Sequence, residues 1–388
     1  MKVLISSDLA PPYFGGGETY TLNIGKALVK IGHEVHWITS KIPNTMSEEF
    51  LDGIKIHRVP IFYSSKYLFP GRQSFALTSL ITGIKLARQV DIVQINTLVP
   101  GLTGWMISKY AKKPSVLYCH EFFNELWHKI GQNSLEKNIY PLAERLMSKS
   151  PYDWFACPSE YSKTTLEANG VAPSRITVIP HGVDDKPDVK SGDYRDELKL
   201  NDNFVIGYIG RLLVKKTGQS KNLITLLKAM KIVLEKIPSA RLLVAGSGYD
   251  ELKPFVHEMG LENNVAYIGR IPQEDVSRFF RTCDLVVCPA LSDGFCFLLA
   301  DASYFSVATV ATSMGSHLER VDDGKTGLLS IASPEDIADK IVTLLEDDDR
   351  RIKMGHMGTE KYKNMTWEKS AKMHLDMYEN VINHKVDI

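Results

Sequence analysis

The sequence of 388 residues predicts an α/β fold made of two doubly wound domains, each with a mostly parallel sheet covered by helices on both faces. Three observations predict this fold. The chain is longer than one hydrophobic core usually supports. Strand-like apolar runs alternate with helical patterns in both halves of the chain. Between the halves, residues 183–203 are charged and nearly free of apolar runs, which is typical of a linker.

In the first half, short apolar runs predict strands, and helical patterns lie between them. Ile24, Leu28 and Ile31 fall on one helical face, and Gly32 follows them as a C-terminal stop. The predicted strands are residues 3–6, 35–39, 54–59, 92–95, 116–119, 154–158 and 176–179.

The same alternation restarts after the linker. The predicted strands there are residues 204–209, 241–245, 265–268, 285–288, 309–311 and 328–329, and residues 366–382 form an amphipathic helical pattern. The predicted domains are therefore residues 1–182 and 204–365, followed by a terminal helix within 366–388. Doubly wound sheets bind ligands beyond the carboxyl ends of their strands, so two such domains face to face predict a deep cleft.

Composition excludes several classes of protein. The chain has 46 basic and 46 acidic residues, and this formal net charge of zero argues against a nucleic-acid partner. The five cysteines show no paired metal-ligand spacing, which favours buried thiols in a reducing cytosol. The N-terminus leads directly into a strand-like run, and no apolar run approaches the roughly 18 residues that span a bilayer. The sequence predicts a soluble cytoplasmic protein that is at most peripheral at a membrane.

Glycines mark the first junction between a strand and a helix, in "SSDLAPPYFGGGE". Gly15, Gly16 and Gly17 let the backbone approach a phosphate, and the following helix supplies free N–H groups and a partial positive charge. The spacing is not the GxGxxG of dinucleotide-binding folds, which disfavours NAD. A merely flexible loop is the alternative interpretation.

Basic residues mark a second junction, in "IGYIGRLLVKKTGQSKNLITLL". Arg211 ends a strand, and Lys215, Lys216 and Lys221 precede a helix. Guanidinium and ammonium groups beside a helix N-terminus suit a diphosphate. The alternative is a solvated basic loop.

Two carboxylates bracket an apolar run at a third junction, "SDGFCFLLAD". As helix-start groups, the amides of residues 294–296 would receive a phosphate or sugar oxygen. Asp293 would reach sugar hydroxyls, and Asp301, about 12 Å further along a helix axis, would hold a ribose diol at the other end of one long ligand. The structural alternatives are a helix N-cap for Asp293 and a surface acid for Asp301.

Eight motifs occur along the chain in a fixed order, namely "GGGE", "YCHEFF", "PSEYSKTTL", "IPHGVD", "GR…KN…LLKA", "LLVAGSG", "VAYIGRI" and "VDDGKTGLL". As a set they resemble the retaining glycosyltransferases of family 4, which have the GT-B fold with two Rossmann-like domains. The resemblance covers nearly the whole chain. It implies a nucleotide-activated sugar as donor, no metal and no cofactor, and a last helix that crosses back to the N-terminal, acceptor-side domain.

The resemblance implies a role for each matching residue. The paired glutamates of the family fall on Asp293 and Asp301, and its active-site histidine falls on His120. Asp293 and His120 are thus the implied catalytic residues, with Asp293 also at the donor sugar. The remaining implied contacts are Gly16, Gly17, Arg211 and Lys221 (rather than Lys216) with the diphosphate, Gly294, Phe295 and Cys296 with the sugar, and Asp301, Gly269, Arg270 and Ile271 with the ribose and base.

The chain departs from the family pattern at three places. Both glutamates are aspartates, each one methylene shorter. The loop from Arg211 to Lys221 is longer, and "FSVA" at 305–308 replaces a Gly-containing, Pro-ending turn.

The implied activity is transfer of a hexosyl group from a UDP- or GDP-linked sugar to an acceptor hydroxyl, in glycoconjugate, glycolipid or polysaccharide synthesis. A nucleotide-sugar epimerase or a phosphorylase on the same fold is one alternative. A catalytically silent binding subunit is another, motivated by the two aspartates. Residues 64–81, with Lys66, Arg72 and aromatic residues, predict either a contact with a membrane or lipid-linked acceptor or a solvated loop and helix.

Overall fold

A computed structural model describes residues 1–13, 15–62, 68–130, 134–184 and 192–386 of the chain. The chain divides into two compact units. Unit 1 comprises Met1–Asn124, Tyr140–Gly182 and Met365–Ile388, and unit 2 comprises Glu125–Ile139 and Val183–Asn364. Each unit contains a sheet with helices, and the sheet is mostly parallel in unit 1 and parallel in unit 2, as the alternating pattern predicts.

The sheet of unit 1 has eight strands in the order β3-β4-β2-β1-β5-β6-β7-β8. Strand β3 pairs with β4 antiparallel, and the other described pairs are parallel. The strands are β1 (Lys2–Ser6), β2 (Glu34–Lys41), β3 (Glu48–Leu51), β4 (Ile54–Pro60), β5 (Ile92–Asn96), β6 (Ser115–Tyr118), β7 (Trp154–Cys157) and β8 (Ile176–Val178).

Strand β3 is the element of this sheet that the sequence analysis missed. Its residues, "EEFL", alternate between exposed and half-buried positions at the sheet edge. Charged residues on an edge strand discourage pairing with other chains, and they also remove the apolar run by which the other strands are recognised.

The sheet of unit 2 has six parallel strands in the order β11-β10-β9-β12-β13-β14. All six were predicted within one or two residues of their ends. They are β9 (Phe204–Ile209), β10 (Ala240–Ala245), β11 (Val265–Tyr267), β12 (Leu285–Cys288), β13 (Ala308–Thr312) and β14 (Gly327–Ser330).

Helices cover the sheets. They are α1 (Gly16–Lys30), α2 (Leu68–Ala87), α3 (Gly101–Ala111), α4 (Trp127–Ile130), α5 (Ser134–Lys149), α6 (Glu160–Ala168), α7 (Arg195–Leu198), α8 (Leu223–Lys236), α9 (Tyr249–Glu258), α10 (Val276–Thr282), α11 (Phe297–Tyr304), α12 (His317–Arg320), α13 (Pro334–Leu345), α14 (Asp348–Tyr362) and α15 (Trp367–Val386). Helix α1 ends two residues before Gly32, whose φ of 92° lies in the left-handed region that glycine adopts without strain.

Part of the predicted linker belongs to the core of unit 2. Residues 185–191 lie outside the described residues, but Tyr194 and Leu200 are buried in the apolar core of this unit, on either side of α7. The aromatic ring of Tyr194 also lies beneath the guanidinium of Arg278, 4.0 Å from its carbon. Although this segment is mostly charged, Tyr194 and Leu200 therefore attach it to the core of unit 2.

Helix α15 packs on α1 within unit 1. The hydroxyl of Tyr20 on α1 lies 2.7 Å from Nε2 of His374 on α15. The hydroxyl of Tyr378 donates to Gln94 on β5, so the terminal helix is tied to the sheet by buried polar contacts. These contacts account for the amphipathic pattern of residues 366–382.

Helix α2 exposes apolar side chains. Leu77 and Ile81 are 77% and 70% exposed. Within the segment 64–81, residues 64–67, including Lys66, lie outside the described residues. Among the helices of the described residues, none combines the length and the hydropathy needed to cross a membrane.

Candidate functional site

Three loops of unit 2 meet at the carboxyl edge of neighbouring strands. They follow β9, β10 and β11, which lie side by side in the sheet. The N–H of Gly210 donates to Ala245 at 3.0 Å, and the N–H of Gly246 donates to Gly269 at 2.7 Å. A Cβ on Gly246 would lie 1.7 Å from the carbonyl oxygen of Gly210, so no side chain fits there. The predicted base-binding loop at Gly269 and the strand end that precedes Arg211 thus lie on either side of the end of β10.

The predicted diphosphate and sugar residues of unit 2 form an ion pair. Nζ of Lys221 lies 2.6 Å from Oδ2 of Asp293, and both side chains are mostly buried. Burial by itself would raise the pKa of Asp293, but the charge of Lys221 and its hydrogen bond hold this pKa to about 2. The carboxylate therefore stays ionised and can only accept hydrogen bonds.

The second oxygen of Asp293 caps its own loop. Oδ1 accepts hydrogen bonds from the N–H of Cys296 at 2.7 Å and of Phe295 at 3.2 Å. Helix α11 begins only at Phe297, so residues 294–296 are loop residues and the expectation of helix-start amides there is wrong. Two of those amides are already satisfied by Asp293. The N-cap of α11 is Cys296, so the alternative interpretation of Asp293 as a helix N-cap is wrong as well.

Asp301 lies in the second turn of α11 and is 8% exposed. The alternative interpretation as a surface acid is therefore wrong. Because α11 starts at Phe297, the chain between Asp293 and Asp301 is helical for only its second half. The estimate of about 12 Å along one continuous helix axis consequently does not apply.

The basic residues differ in exposure. Arg211 is exposed, and its carbonyl oxygen accepts from the hydroxyl of Tyr208 at 3.3 Å. Lys221 ends a short 3-10 helix, Lys216–Lys221. The side chain of Lys216 lies outside the described part of the structure. Lys215 is exposed and its amide hydrogen bonds to Glu251. Of the described lysines in this loop, Lys221 is therefore the one that the fold directs to Asp293.

A pair of stacked tyrosines lies beside Gly269 and was not predicted from the sequence. The rings of Tyr249 and Tyr267 lie 4.1 Å apart at an angle of 10°. The hydroxyl of Tyr267 donates to Gly246 at 3.0 Å, which ties the stack to the glycine loop. Arg270 is exposed and Ile271 half-buried on the same segment. The motif "VAYIGRI" carries Tyr267, but nothing in it indicates the partner from α9.

In unit 1, His120 and the glycine loop lie together. His120 follows β6, and Gly16 and Gly17 begin α1. A Cβ on Gly17 would lie 3.7 Å from Nε2 of His120. That nitrogen is buried and has no hydrogen-bond partner among the described residues. Burial lowers the pKa of His120 to about 4, so its imidazole is neutral at neutral pH.

Aromatic rings surround His120 and were not predicted. The ring of Tyr20 lies 4.3 Å from that of Tyr118, 4.7 Å from that of His181 and 5.0 Å from that of His120. His181 in turn stacks on Trp367 at 5.9 Å. His181 stands in the quoted motif "IPHGVD" and Trp367 in the terminal helix pattern, but only the fold shows that they meet. The packing restricts the orientation of the His120 ring.

Two family descriptions match the chain in succession. Residues 14–186 match Glycosyltransferase Family 4, and residues 191–361 match Glycosyl transferases group 1. A D-inositol 3-phosphate glycosyltransferase of Corynebacterium kroppenstedtii is 29% identical over 95% of this chain and 86% of its own. An uncharacterized glycosyltransferase of Methanocaldococcus jannaschii is 26% identical over 98% of this chain and 99% of its own.

Solved structures share the fold. Sucrose-phosphate synthase from Thermosynechococcus elongatus has a TM-score of 0.83 at 19% identity and covers 99% of both chains. HepE of Anabaena, solved with UDP and glucose, has a TM-score of 0.79 at 19% identity, covering 98% of this chain and 100% of its own. A putative UDP-N-acetylglucosamine 2-epimerase from Listeria monocytogenes has a TM-score of 0.62 at 15% identity, with 96% and 94% covered. Both family matches and these folds agree with the motif set, and the chain belongs to the group 1 and family 4 glycosyltransferases of the GT-B fold.

Proposed function

We propose that this enzyme is a retaining hexosyltransferase whose donor is a nucleoside-diphosphate sugar, UDP- or GDP-linked, and whose acceptor is a hydroxyl group. The observation that carries the proposal is the ion pair between Lys221 and Asp293 at the ligand-binding edge of the unit 2 sheet. It joins a cation suited to the diphosphate with an anion suited to sugar hydroxyls.

Lys221 serves the diphosphate while it holds Asp293. An ammonium group has three N–H donors, and Asp293 takes one of them. Diphosphate oxygens accept from this same ammonium and from the exposed guanidinium of Arg211. Because the same ammonium contacts both partners, binding of the diphosphate orients the carboxylate that faces the sugar.

The donor spans further residues. Asp301 accepts from the ribose diol, and the segment Gly269, Arg270 and Ile271 contacts the base. Gly16 and Gly17 bring backbone amides to the phosphates. The complex of the fold relative HepE with UDP supports a uridine donor. The proposal includes no metal at the diphosphate, because Arg211 and Lys221 supply the positive charge.

Transfer proceeds by stabilising the leaving diphosphate. Arg211 and Lys221 are preorganised where negative charge develops as the glycosidic bond breaks. The neutral His120 and the ionised Asp293 hold hydroxyls of the donor sugar. The acceptor attacks from the face that the phosphate leaves, and a leaving phosphate oxygen takes the acceptor proton. The product then keeps the anomeric configuration of the donor.

The test is a panel of UDP- and GDP-sugars in buffer freed of Mg²⁺ and Mn²⁺. We expect one donor to release nucleotide slowly alone and faster with an acceptor. D-inositol 3-phosphate belongs in the acceptor panel because it names the activity of several relatives. Proton NMR of the product should show the anomeric configuration of the donor, and added Mg²⁺ should leave the rate unchanged.

Other outcomes contradict the proposal. Epimerised donor without lasting nucleotide release indicates the epimerase alternative, for which a fold relative exists. Nucleotide binding without release for every donor and acceptor indicates a silent subunit. For the transfer assay, Asp293→Asn is the matched control variant, since it keeps the shape of the side chain but removes its negative charge.

A further inference from the structure

Two thiols and an imidazole converge behind the Asp293 loop. Cys288 ends β12, Cys296 precedes α11, and His317 begins α12. All three are buried, at 3%, 2% and 0% exposure. The Cys288 sulfur lies 3.4 Å from the Cys296 sulfur and 3.5 Å from Nε2 of His317. The three candidate ligand atoms lie within 4.8 Å of one another.

These distances match one face of a tetrahedral zinc site. With Zn–S bonds of about 2.3 Å and Zn–N bonds of about 2.0–2.1 Å, a tetrahedral ion separates two sulfurs by about 3.8 Å and a sulfur from a nitrogen by about 3.5 Å. The observed separations of 3.4 and 3.5 Å need a shift of only a few tenths of an ångström. The third pair, the Cys296 sulfur and Nε2 of His317, lies within 4.8 Å, so all three atoms face one point.

The tautomer of His317 is set for coordination. Nδ1 of His317 lies 2.9 Å from the carbonyl oxygen of Thr312, which can only accept a hydrogen bond. Nδ1 therefore carries a proton, which leaves Nε2 as the nitrogen that can coordinate a cation beside the Cys288 sulfur. A ring N–H donated to a backbone carbonyl is the usual partner of a metal-bound histidine, because it fixes the ring and raises its basicity.

Charge balance also favours a divalent cation. Two thiolates, one neutral imidazole and a cation of charge +2 sum to zero, so the buried assembly avoids the cost of an uncompensated charge. The neighbouring charges, Lys221 and Asp293, already neutralise each other. When the cation binds, each thiol releases its proton to the solvent.

We propose that Cys288, Cys296 and His317 bind one soft divalent cation, Zn²⁺, with water as the fourth ligand. The cation takes no part in the transfer step itself. It acts on the loop, because the N–H of Cys296 donates to Asp293 and Cys296 has a strained φ of 59° that a bond to the metal would hold. The spacing of these residues matches no CxxC pattern, which is why the sequence analysis found no metal ligands.

The test uses the full chain purified in a phosphine reductant without chelator. We expect about one zinc per chain by plasma mass spectrometry. After zinc is removed, titration with Co²⁺ should saturate near one equivalent, with thiolate-to-cobalt absorption in the near ultraviolet and the intense visible bands of four-coordinate cobalt. Added Zn²⁺ should abolish both.

Variants locate the site. Cys288→Ala and His317→Gln should weaken Co²⁺ binding at least about 100-fold. Cys283→Ala is the matched control and should bind Co²⁺ normally, because Cys283 is also a buried thiol of unit 2 but donates to Phe279 instead.

The wild-type protein alone can overturn the proposal, even if a variant fails to fold. Reduced protein that takes up less than about a tenth of an equivalent of Co²⁺ and of Zn²⁺ contradicts it. So does a disulfide between Cys288 and Cys296, identified by peptide mapping of protein purified without reductant. Either result leaves the proposed transferase activity intact.

Discussion

Lys221 forms an ion pair with Asp293, and in the proposed function this one lysine couples the diphosphate to the donor sugar. Lys221→Met should weaken binding of UDP or GDP by roughly 1.5–3 kcal/mol, because it removes a charge-assisted hydrogen bond. Arg211→Ala should have an effect of similar size. Lys216→Ala is the matched control and should cost less. Titration calorimetry measures all three, and a dominant effect of Lys216 would show that the loop is wrongly aligned.

Asp293 and Asp301 should differ in kind when each is mutated. Asp301→Ala should weaken binding of free nucleotide, because it loses the ribose contact. Asp293→Asn should not weaken that binding, since it releases Lys221 to the diphosphate, but it should lower turnover. Asp301→Glu should be tolerated. Nucleotide titration beside the transfer rate gives the comparison, and equal losses of affinity in the two variants would contradict separate roles.

His120 offers a buried nitrogen with no hydrogen-bond partner in the described part of the chain, which is the expected state of a group reserved for a ligand. His120→Ala should reduce turnover at least tenfold, equivalent to about 1.4 kcal/mol of transition-state stabilisation. Affinity for free nucleotide should persist. Thermal unfolding of the same variant is the control: if turnover falls only as folded protein is lost, His120 is a core residue and nothing more.

At the scale of elements, α14 supports the helix that carries Asp301. A Cβ on Gly355 would lie 1.9 Å from the carbonyl oxygen of Ser306, just after α11. The hydroxyls of Ser306 and Thr359 lie 2.7 Å apart and hold the same two segments together. Residues 305–308, where the chain departs from the turn of the family, thus pack closely against Gly355 on α14.

Gly355→Ala should lower the free energy of unfolding by roughly 1–3 kcal/mol, because the backbone atom it meets cannot rotate away. Gly358→Ala, one turn further on, is the matched control. Its Cβ would meet the Ser303 side chain at 3.2 Å, a contact that a small shift relieves. Alanine also favours the helix by about 1 kcal/mol over glycine. Denaturant titration should rank the two variants, and equal stability would contradict the close approach of α14.

At the scale of the molecule, two buried histidines should make the free energy of unfolding depend on pH. Burial lowers the pKa of both His120 and His374 to about 4. As the pH falls, the unfolded chain therefore takes up these protons first, at about pH 6.5. The contribution of these two histidines to the free energy of unfolding is therefore complete above pH 6.5 and is lost progressively as the pH falls toward 4. From 1.36 kcal/mol per pKa unit, each histidine contributes up to about 3 kcal/mol.

The variant His374→Gln isolates one histidine, and its amide can still bond the hydroxyl of Tyr20. Between pH 6.5 and 4 its thermal midpoint should fall less than that of the wild type, measured by calorimetry. Exposed His356→Gln should keep the wild-type slope. Parallel curves for His374→Gln and the wild type would show that His374 titrates normally in the folded chain.

Much of the architecture follows from local sequence. Buried parallel strands are short apolar runs between turn residues, so thirteen of the fourteen strands in the described residues were recognisable. Strand β3 was not, because its edge position makes it charged. The motif set identified the family, because each motif places a particular residue type at a strand end. These features depend on residues close in the chain.

Only the tertiary structure decided which side chains meet. Lys221 and Asp293 are 72 residues apart, and no local pattern pairs them. Likewise the Cys288, Cys296 and His317 cluster arises because β12, α11 and α12 bring distant positions to one point. The sequence by itself determined the family, the alternation of strands and helices, and the set of polar residues at strand ends. Their pairing depends on sheet order and helix packing, which are set by long-range contacts that no short window of residues contains.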